Sequence, residues 1–260
     1  MDTITADLFD TICVMVGDKT ANRHAEAEIR CAEALARDPA DASALAASGY
    51  LALCAGALPQ AVGFMERAVA LNGARAVWWR VLGLAARHTD TPEKAVAALR
   101  RAVETDPRYI DAWNDLGITL RDLGRPREAA AAFDTLIGIK PSHAGAIRRL
   151  GTCHQQAGDL DAAQAAYARA IAAKPDYVEA FINLGSVHEA RGELDRALEC
   201  YRTAVSLKND FAPSFHALGA ALAKRGEREP AIQALLRAVD LMPRHADAHG
   251  ALLELGYRWA

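Results

Sequence analysis

The sequence is short of aromatic residues, has no surplus of basic ones and contains no long apolar run, and each lack removes a class of protein. Phe, Trp and Tyr make up 6% of the 260 residues, while alanine takes about a fifth. Alanine loses no side-chain entropy on entering a helix, so this balance argues against a mostly β protein and for an all-α one. With 30 Lys+Arg against 33 Asp+Glu the basic excess of a nucleic-acid binder is missing. No apolar stretch approaches the ~18 residues of a membrane span. Aspartates precede the first basic residue, Lys19, and the apolar run from Ile12 to Val16 is short for a signal sequence, which points to a cytoplasmic protein. The five cysteines, Cys13, Cys31, Cys54, Cys153 and Cys200, are scattered and never spaced as C-x-x-C, so neither a disulfide framework nor a zinc ribbon is indicated. Hydrophobic residues nevertheless reach 52% against 24% charged, so the chain has the means to bury a core.

What the sequence does have is a period. Pro107, Pro141 and Pro175 recur every 34 residues, and Pro39 and Pro243 share their phase. Six segments starting at Ala42, Ala76, Ile110, Ala144, Val178 and Ala212 align without a gap. Gly49, Gly83, Gly117, Gly151, Gly185 and Gly219 form one column, and Ala61, Ala95, Ala129, Ala163, Ala197 and Ala231 form another. Large apolar residues (Trp79, Trp113, Ile147, Phe181, Phe215) sit one turn before a leucine column. Small residues on both halves of the repeat let two antiparallel helices approach closely, and the large ones fill the space beside them. A second glycine column (Gly56, Gly124, Gly158, Gly192, Gly226, with Asp90 the exception) stands where the first helix should stop in a left-handed residue. Pro59, Pro92 and Pro126 follow in the first turn of the second helix, where a missing N–H costs little. Gly73 and Asn209 replace the stop proline as helix terminators.

These residues resemble the tetratricopeptide repeat, a helix-turn-helix of the same period, and the segment WNDLGITLRDLGRPREAAAAFDTLIGIKP (113–141) is close to its full signature. The resemblance is to bacterial-type arrays. It implies a right-handed solenoid of antiparallel helix pairs, with repeats at 42–75, 76–109, 110–143, 144–177, 178–211 and 212–245. Residues 1–41 would hold a partial, degenerate repeat in which 22–39 match only a second helix, and 246–260 would form a C-terminal capping helix.

Two departures stand out. Trp78 fills a column of small residues, and two readings are open: it packs into space left by Gly63, or it is an exposed aromatic anchor. The last segment, HADAHGALLELGYRWA, runs to Tyr257, Trp259 and Ala260 without a charged outer face. That suggests a subunit contact, or a chain that is the front part of a longer protein.

Reactive constellations are not evident. There is no phosphate loop, no G-x-S-x-G and no H-E-x-x-H, so we expect no enzyme, no cofactor and no metal. His245 and His249, with Asp247 between them, have helix-face spacing for a metal but lack a third ligand. His154 and His188 take a column in which the family has tyrosine, which reads as packing, and Glu93, Glu128 and Asp195 complement helix starts.

The resemblance instead implies a concave surface lined by first helices. The positions there that are free of packing duty give Arg80, Arg87, Asn114, Arg121, Arg148, Arg149, Asn183 and His216 as candidate partner-binding residues. Arginine forks suit carboxylates and asparagine suits peptide backbone. The competing reading is solvated charges balanced by Asp111, Asp115 and Asp122. Arg148 and Asn183 echo the carboxylate clamp of some family members, whereas Thr152, Pro213 and Ala217 depart from it. In the column matching the asparagine ladder of O-linked N-acetylglucosamine transferases only Asn183 agrees. The expected function is a non-catalytic scaffold that binds an acidic protein or peptide segment in the groove, with no nucleic acid and no membrane span. The alternatives are the targeting module of a larger glycosyltransferase or sulfotransferase, and a homo-oligomer assembled through the C-terminal helix.

Overall fold

The computed structural model describes residues 7–17, 21–89 and 91–257. Asp90, Trp259 and Ala260, on which expectations were placed above, lie outside them. The described residues form fifteen helices in two compact units, residues 1–139 and 140–260. The first unit holds α1 (Leu8–Gly17), α2 (Ala21–Arg37), α3 (Ala42–Cys54), α4 (Leu58–Leu71), α5 (Ala76–Arg87), α6 (Pro92–Thr105), α7 (Ile110–Asp122) and α8 (Pro126–Ile139). The second holds α9 (Ala144–Gln156), α10 (Leu160–Ala173), α11 (Val178–Ala190), α12 (Leu194–Leu207), α13 (Ala212–Lys224), α14 (Arg228–Leu241) and α15 (Ala246–Glu254). Within each unit every helix packs against the one before and after it, and successive first helices also touch. The fold is a right-handed solenoid of antiparallel helix pairs, all-α among the described residues.

The glycine column explains how each pair closes. A Cβ built on Gly117 would lie 2.6 Å from Cζ of Phe133, and one on Gly151 would lie 2.7 Å from Cε1 of Tyr167. Met65, Leu99, Tyr201 and Leu235 fill the corresponding places over Gly49, Gly83, Gly185 and Gly219. All six of these large side chains are buried. Each second helix thus drives one large residue into a hole that only glycine leaves in the first. First helices stop where Gly56, Gly124, Gly158, Gly192 and Gly226 take positive φ, between 70° and 84°.

The first unit begins with a helix that its sequence conceals. α1 starts one 34-residue period before α3, so α1 and α2 make a complete pair where only a second helix was expected. The pair hid because its sizes are exchanged: Met15 stands in the glycine column and small Cys31 in the column of large residues, both buried in one cluster. Asp7 anchors its start, accepting from the Phe9 amide at 2.9 Å and from the Ser43 hydroxyl.

α1 also accounts for Trp78. The indole is 1% exposed and meets the Phe9 ring edge-on at 6.0 Å, within a cluster that includes Ala46 and Ala47 of α3. Phe9 in turn packs on Tyr50. Such ring contacts add about 0.5–1.5 kcal/mol each beyond the area they bury. The Arg75 guanidinium lies over both rings, 5.5 Å from Phe9 and 5.3 Å from Trp78, and bonds Asp7 at 2.6 Å and Asp10 at 2.7 Å. Trp78 is therefore a core residue and not an exposed anchor. Gly63 does not make its room, because a Cβ there would meet nothing within 4 Å; the small side chains of α3 do.

The expected C-terminal helix over 246–260 is also shorter. α15 ends at Glu254, Leu255 caps it, and Gly256 at φ 72° turns the chain back. Tyr257 then packs on a cluster of Leu235, Val239 and Leu252. The left-handed glycine arrives one turn before the place the period assigns to it, which is why the helix is cut short. Leu253 stands 64% exposed at this end.

The contrast between glycines gives a test. Gly117→Ala should cost about 1–3 kcal/mol, since the buried Phe133 ring has nowhere to go. Gly63→Ala, in open space within α4, should stabilise by up to about 1 kcal/mol. Urea unfolding midpoints of the two variants should move in opposite directions.

Candidate functional site

The face built by first helices carries the polar candidates, and each unit arranges its own. In the first unit Arg80 of α5 donates through Nε to Asp115 of α7 at 2.6 Å, and its guanidinium lies 5.7 Å from the Tyr109 ring centre. Asp115 is only 7% exposed. Burial works against the Arg80 charge, but Asp115 and Tyr109 outweigh it and hold its pKa above the ordinary value. Asn114 reaches the other oxygen of Asp115 at 3.5 Å. Arg87 and Arg121 both bond Asp122, the latter at 2.7 Å. Burial tends to raise the Asp122 pKa, yet hydrogen bonds from the two arginines bring it below the usual carboxylate value. The unit therefore joins Arg80 with Asn114 and Arg87 with Arg121, each pair around a carboxylate of its own.

In the second unit the same columns hold different partners. Arg148 of α9 donates through Nε to the Tyr177 hydroxyl at 2.8 Å and lies 5.6 Å from that ring's centre, as Arg80 does over Tyr109. Where Asp115 answers Arg80, the repeat puts Asn183 opposite Arg148. Among the described residues no carboxylate lies within salt-bridge reach of Arg148. Beside it, the Tyr167 hydroxyl donates to Gln155 at 2.9 Å and to Thr152 at 3.2 Å. Burial raises the Tyr167 pKa, against the pull of the Thr152 hydrogen bond and of the Arg148 charge. Arg149 lies back over Gly145, its Nη1 3.1 Å from where a Cβ on that glycine would stand. Further along, Tyr201 donates to Glu189 at 2.7 Å, and Lys224 bonds the same carboxylate at 2.5 Å. Burial and Glu189 push the Tyr201 pKa well up, so the hydroxyl stays protonated.

His216 of α13 is half-buried against His245, with ring centres 4.7 Å apart. His245 and His249 point to different duties: Nδ1 of His245 accepts from the Ala248 amide at 3.3 Å, and Nε2 of His249 lies 2.9 Å from the Pro243 carbonyl. No cluster of three or more metal-ligating side chains occurs among the described residues. His188 is 7% exposed with Nδ1 2.7 Å from Glu193, a packed position.

Sequence reasoning missed the tyrosines. Tyr109 and Tyr177 share one column and Tyr167 and Tyr201 another, so the signal was in the register, but only the folded chain shows their hydroxyls among the candidate residues.

The architecture and this polar face define a helical-repeat scaffold, and comparison supplies the family. A tetratricopeptide-repeat model matches residues 65–110, 80–144 and 114–162, and the middle TPR-like domain of cilia and flagella-associated protein 70 matches 147–260. The crystal structure of MamA is similar at 27% identity, with TM-score 0.56 over 64% of this chain and 96% of MamA. YrrB, described as a TPR protein with an unusual peptide-binding site, is 22% identical with TM-score 0.54 over 72% of this chain and 96% of its own. PilF of Pseudomonas aeruginosa is 18% identical with TM-score 0.64, covering 84% of this chain and 99% of PilF. No curated protein matches the sequence. The chain belongs to the tetratricopeptide-repeat family, and in general terms it is a protein-interaction scaffold. No described helix is long and apolar enough to cross a membrane.

The buried end of the Arg80 pair can be tested alone. Asp115→Asn leaves the guanidinium only the exposed Asp111, at 3.9 Å, in place of its buried anion and should cost about 1–3 kcal/mol, read as a fall in thermal or urea midpoint.

Proposed function

We propose that the protein is a non-catalytic cytoplasmic scaffold whose first-helix face, in the unit of residues 140–260, binds an acidic peptide or helical segment of another protein. The observation that carries this reading is Arg148. Its guanidinium is bonded to Tyr177, and the repeat puts Asn183 in the place from which Asp115 answers the equivalent arginine of the first unit. A partner carboxylate entering beside Arg148 would play the part Asp115 plays for Arg80, with the Asn183 amide as a second donor. The positioning by Tyr177 is already made, so little ordering is needed on binding. Arg149 adds charge to the same helix, and His216 extends the column. Arg80, Arg87, Arg121 and Asn114 hold the first unit's own carboxylates, and in this reading they shape the face of that unit. YrrB, a relative in fold, has a peptide-binding site, which lends the reading support by analogy.

A charge-assisted hydrogen bond of this kind is worth about 1.5–3 kcal/mol, roughly ten- to a hundredfold in affinity. The probe is a fluorescent decapeptide of alternating aspartate and alanine, followed by anisotropy. Arg148→Gln should weaken binding at least about tenfold. Asn183→Asp should do the same by giving Arg148 an internal anion, and both variants should keep their helical circular dichroism. Affinity unchanged in both would overturn the assignment.

A further inference from the structure

The cation-over-ring column has a third member that titrates. Arg80 lies over Tyr109 and Arg148 over Tyr177; the next occupied place in this register puts His216 against His245, with the rings inclined at 38°. We propose that His216, backed by His245, is a proton-gated second anion subsite, which takes another carboxylate of the same acidic partner and binds one proton as it does so. The inference rests on the function proposed above and specifies its regulation.

Three observations support it. First, His245 is held in place by the start of α15. Its Nδ1 accepts the Ala248 amide at 3.3 Å, and the ring stands beside His216 in the place where Tyr109 and Tyr177 stand beside their arginines. Second, the place that holds Asp115 for Arg80 and Asn183 for Arg148 falls on Ala251 for His216. A small apolar residue there provides neither an internal anion nor a bulky obstacle to an external one. Third, the surroundings keep His216 uncharged until an anion comes. Burial, then the neighbouring His245, hold its pKa below the ordinary histidine value, and Asp247 pulls weakly the other way.

The other charges on the packed helices are committed or turned to solvent: on α12, Asp195 is bonded to Arg225 and Arg196 to Glu193, while Glu199 and Arg202 are exposed. On α11, Glu189 is bonded to Tyr201 and Lys224, His188 to Glu193, and Glu179 is exposed. On α14, Arg237 and Asp240 are exposed, as are Arg244 and Asp247 around the start of α15. His249, on α15, is directed at the Pro243 carbonyl.

The sign follows from linkage. Above the ordinary histidine value near 6.5, His216 is neutral and the unit offers Arg148. A carboxylate beside the ring favours the protonated form and raises the pKa, so binding takes up a proton and tightens as pH falls. Aspartate side chains, with ordinary values near 3.9, remain ionised down to pH 5.5. One linked proton gives a gain of about five- to tenfold between pH 7.5 and 5.5.

The experiment is titration calorimetry of the full chain with the aspartate-alanine decapeptide. It is run at pH 6.5 in two buffers of different ionisation enthalpy, and repeated at pH 7.5 and 5.5. The expected result is uptake of about half a proton per peptide at pH 6.5, with the stated tightening. Both should vanish in His216→Gln and in His245→Asn; the latter keeps a capping side chain on α15, so the test stands even if one variant folds poorly. Binding that depends on Arg148 but takes up no proton would overturn the subsite while leaving the proposed function standing. No binding at any pH would overturn both. Proton uptake that persists in both histidine variants would assign it to another group and overturn the subsite.

Discussion

Everything in this protein depends on one repeated contact, a large side chain from a second helix seated on a glycine of the first. The pairs Gly117 with Phe133 and Gly151 with Tyr167 leave no room for a methyl group. Interiors pack at crystalline density, so this contact fixes the distance and rotation within each pair, and neighbouring pairs then add by the same rule. Because the contact consumes one face of each first helix, the other face is released from packing and can vary. The permanence of the core and the freedom of the surface have a single cause.

That division is visible where tyrosine is the large residue. Tyr167 and Tyr201 bury their rings over glycine and send their hydroxyls through to the polar face, where they meet Gln155, Thr152 and Glu189. The core thereby positions polar groups that phenylalanine or leucine at the same place, as in Phe133 and Leu99, could not supply. The two units then diverge by single substitutions in shared columns. Asp115 neutralises Arg80, whereas Arg148, with Asn183 in the matching place, has a phenol for its neighbour and no salt-bridged carboxylate among the described residues. On the proposed function, the same column with a different charge sum would turn a structural ion pair into a recognition site.

How much of this could be read beforehand follows from what the signals are made of. Helix pairs, their starts and their stops were legible because glycine and proline punctuate them for steric reasons that do not depend on context. The α1–α2 pair was not, since Met15 and Cys31 exchange the usual large and small places, and a column search rejects what packing accepts. Trp78 was readable as an anomaly, but its explanation lay in Phe9 and Arg75, remote in sequence. The end of α15 turned on Gly256 arriving out of phase. At the face, residue types were legible and their pairing was not: an arginine in a column looks the same whether Asp115 or Asn183 stands opposite.

The central claim is that Arg148 is available to an external anion and Arg80 is not. Nitrogen-detected NMR of the arginine Nε–H groups, assigned by Arg148→Gln and Arg80→Gln spectra, reports on each guanidinium separately as the aspartate-alanine decapeptide is added. The account predicts a saturable shift of the Arg148 resonance while that of Arg80, held by Asp115, stays in place. Equal shifts of both, or a shift of Arg80 alone, would contradict it.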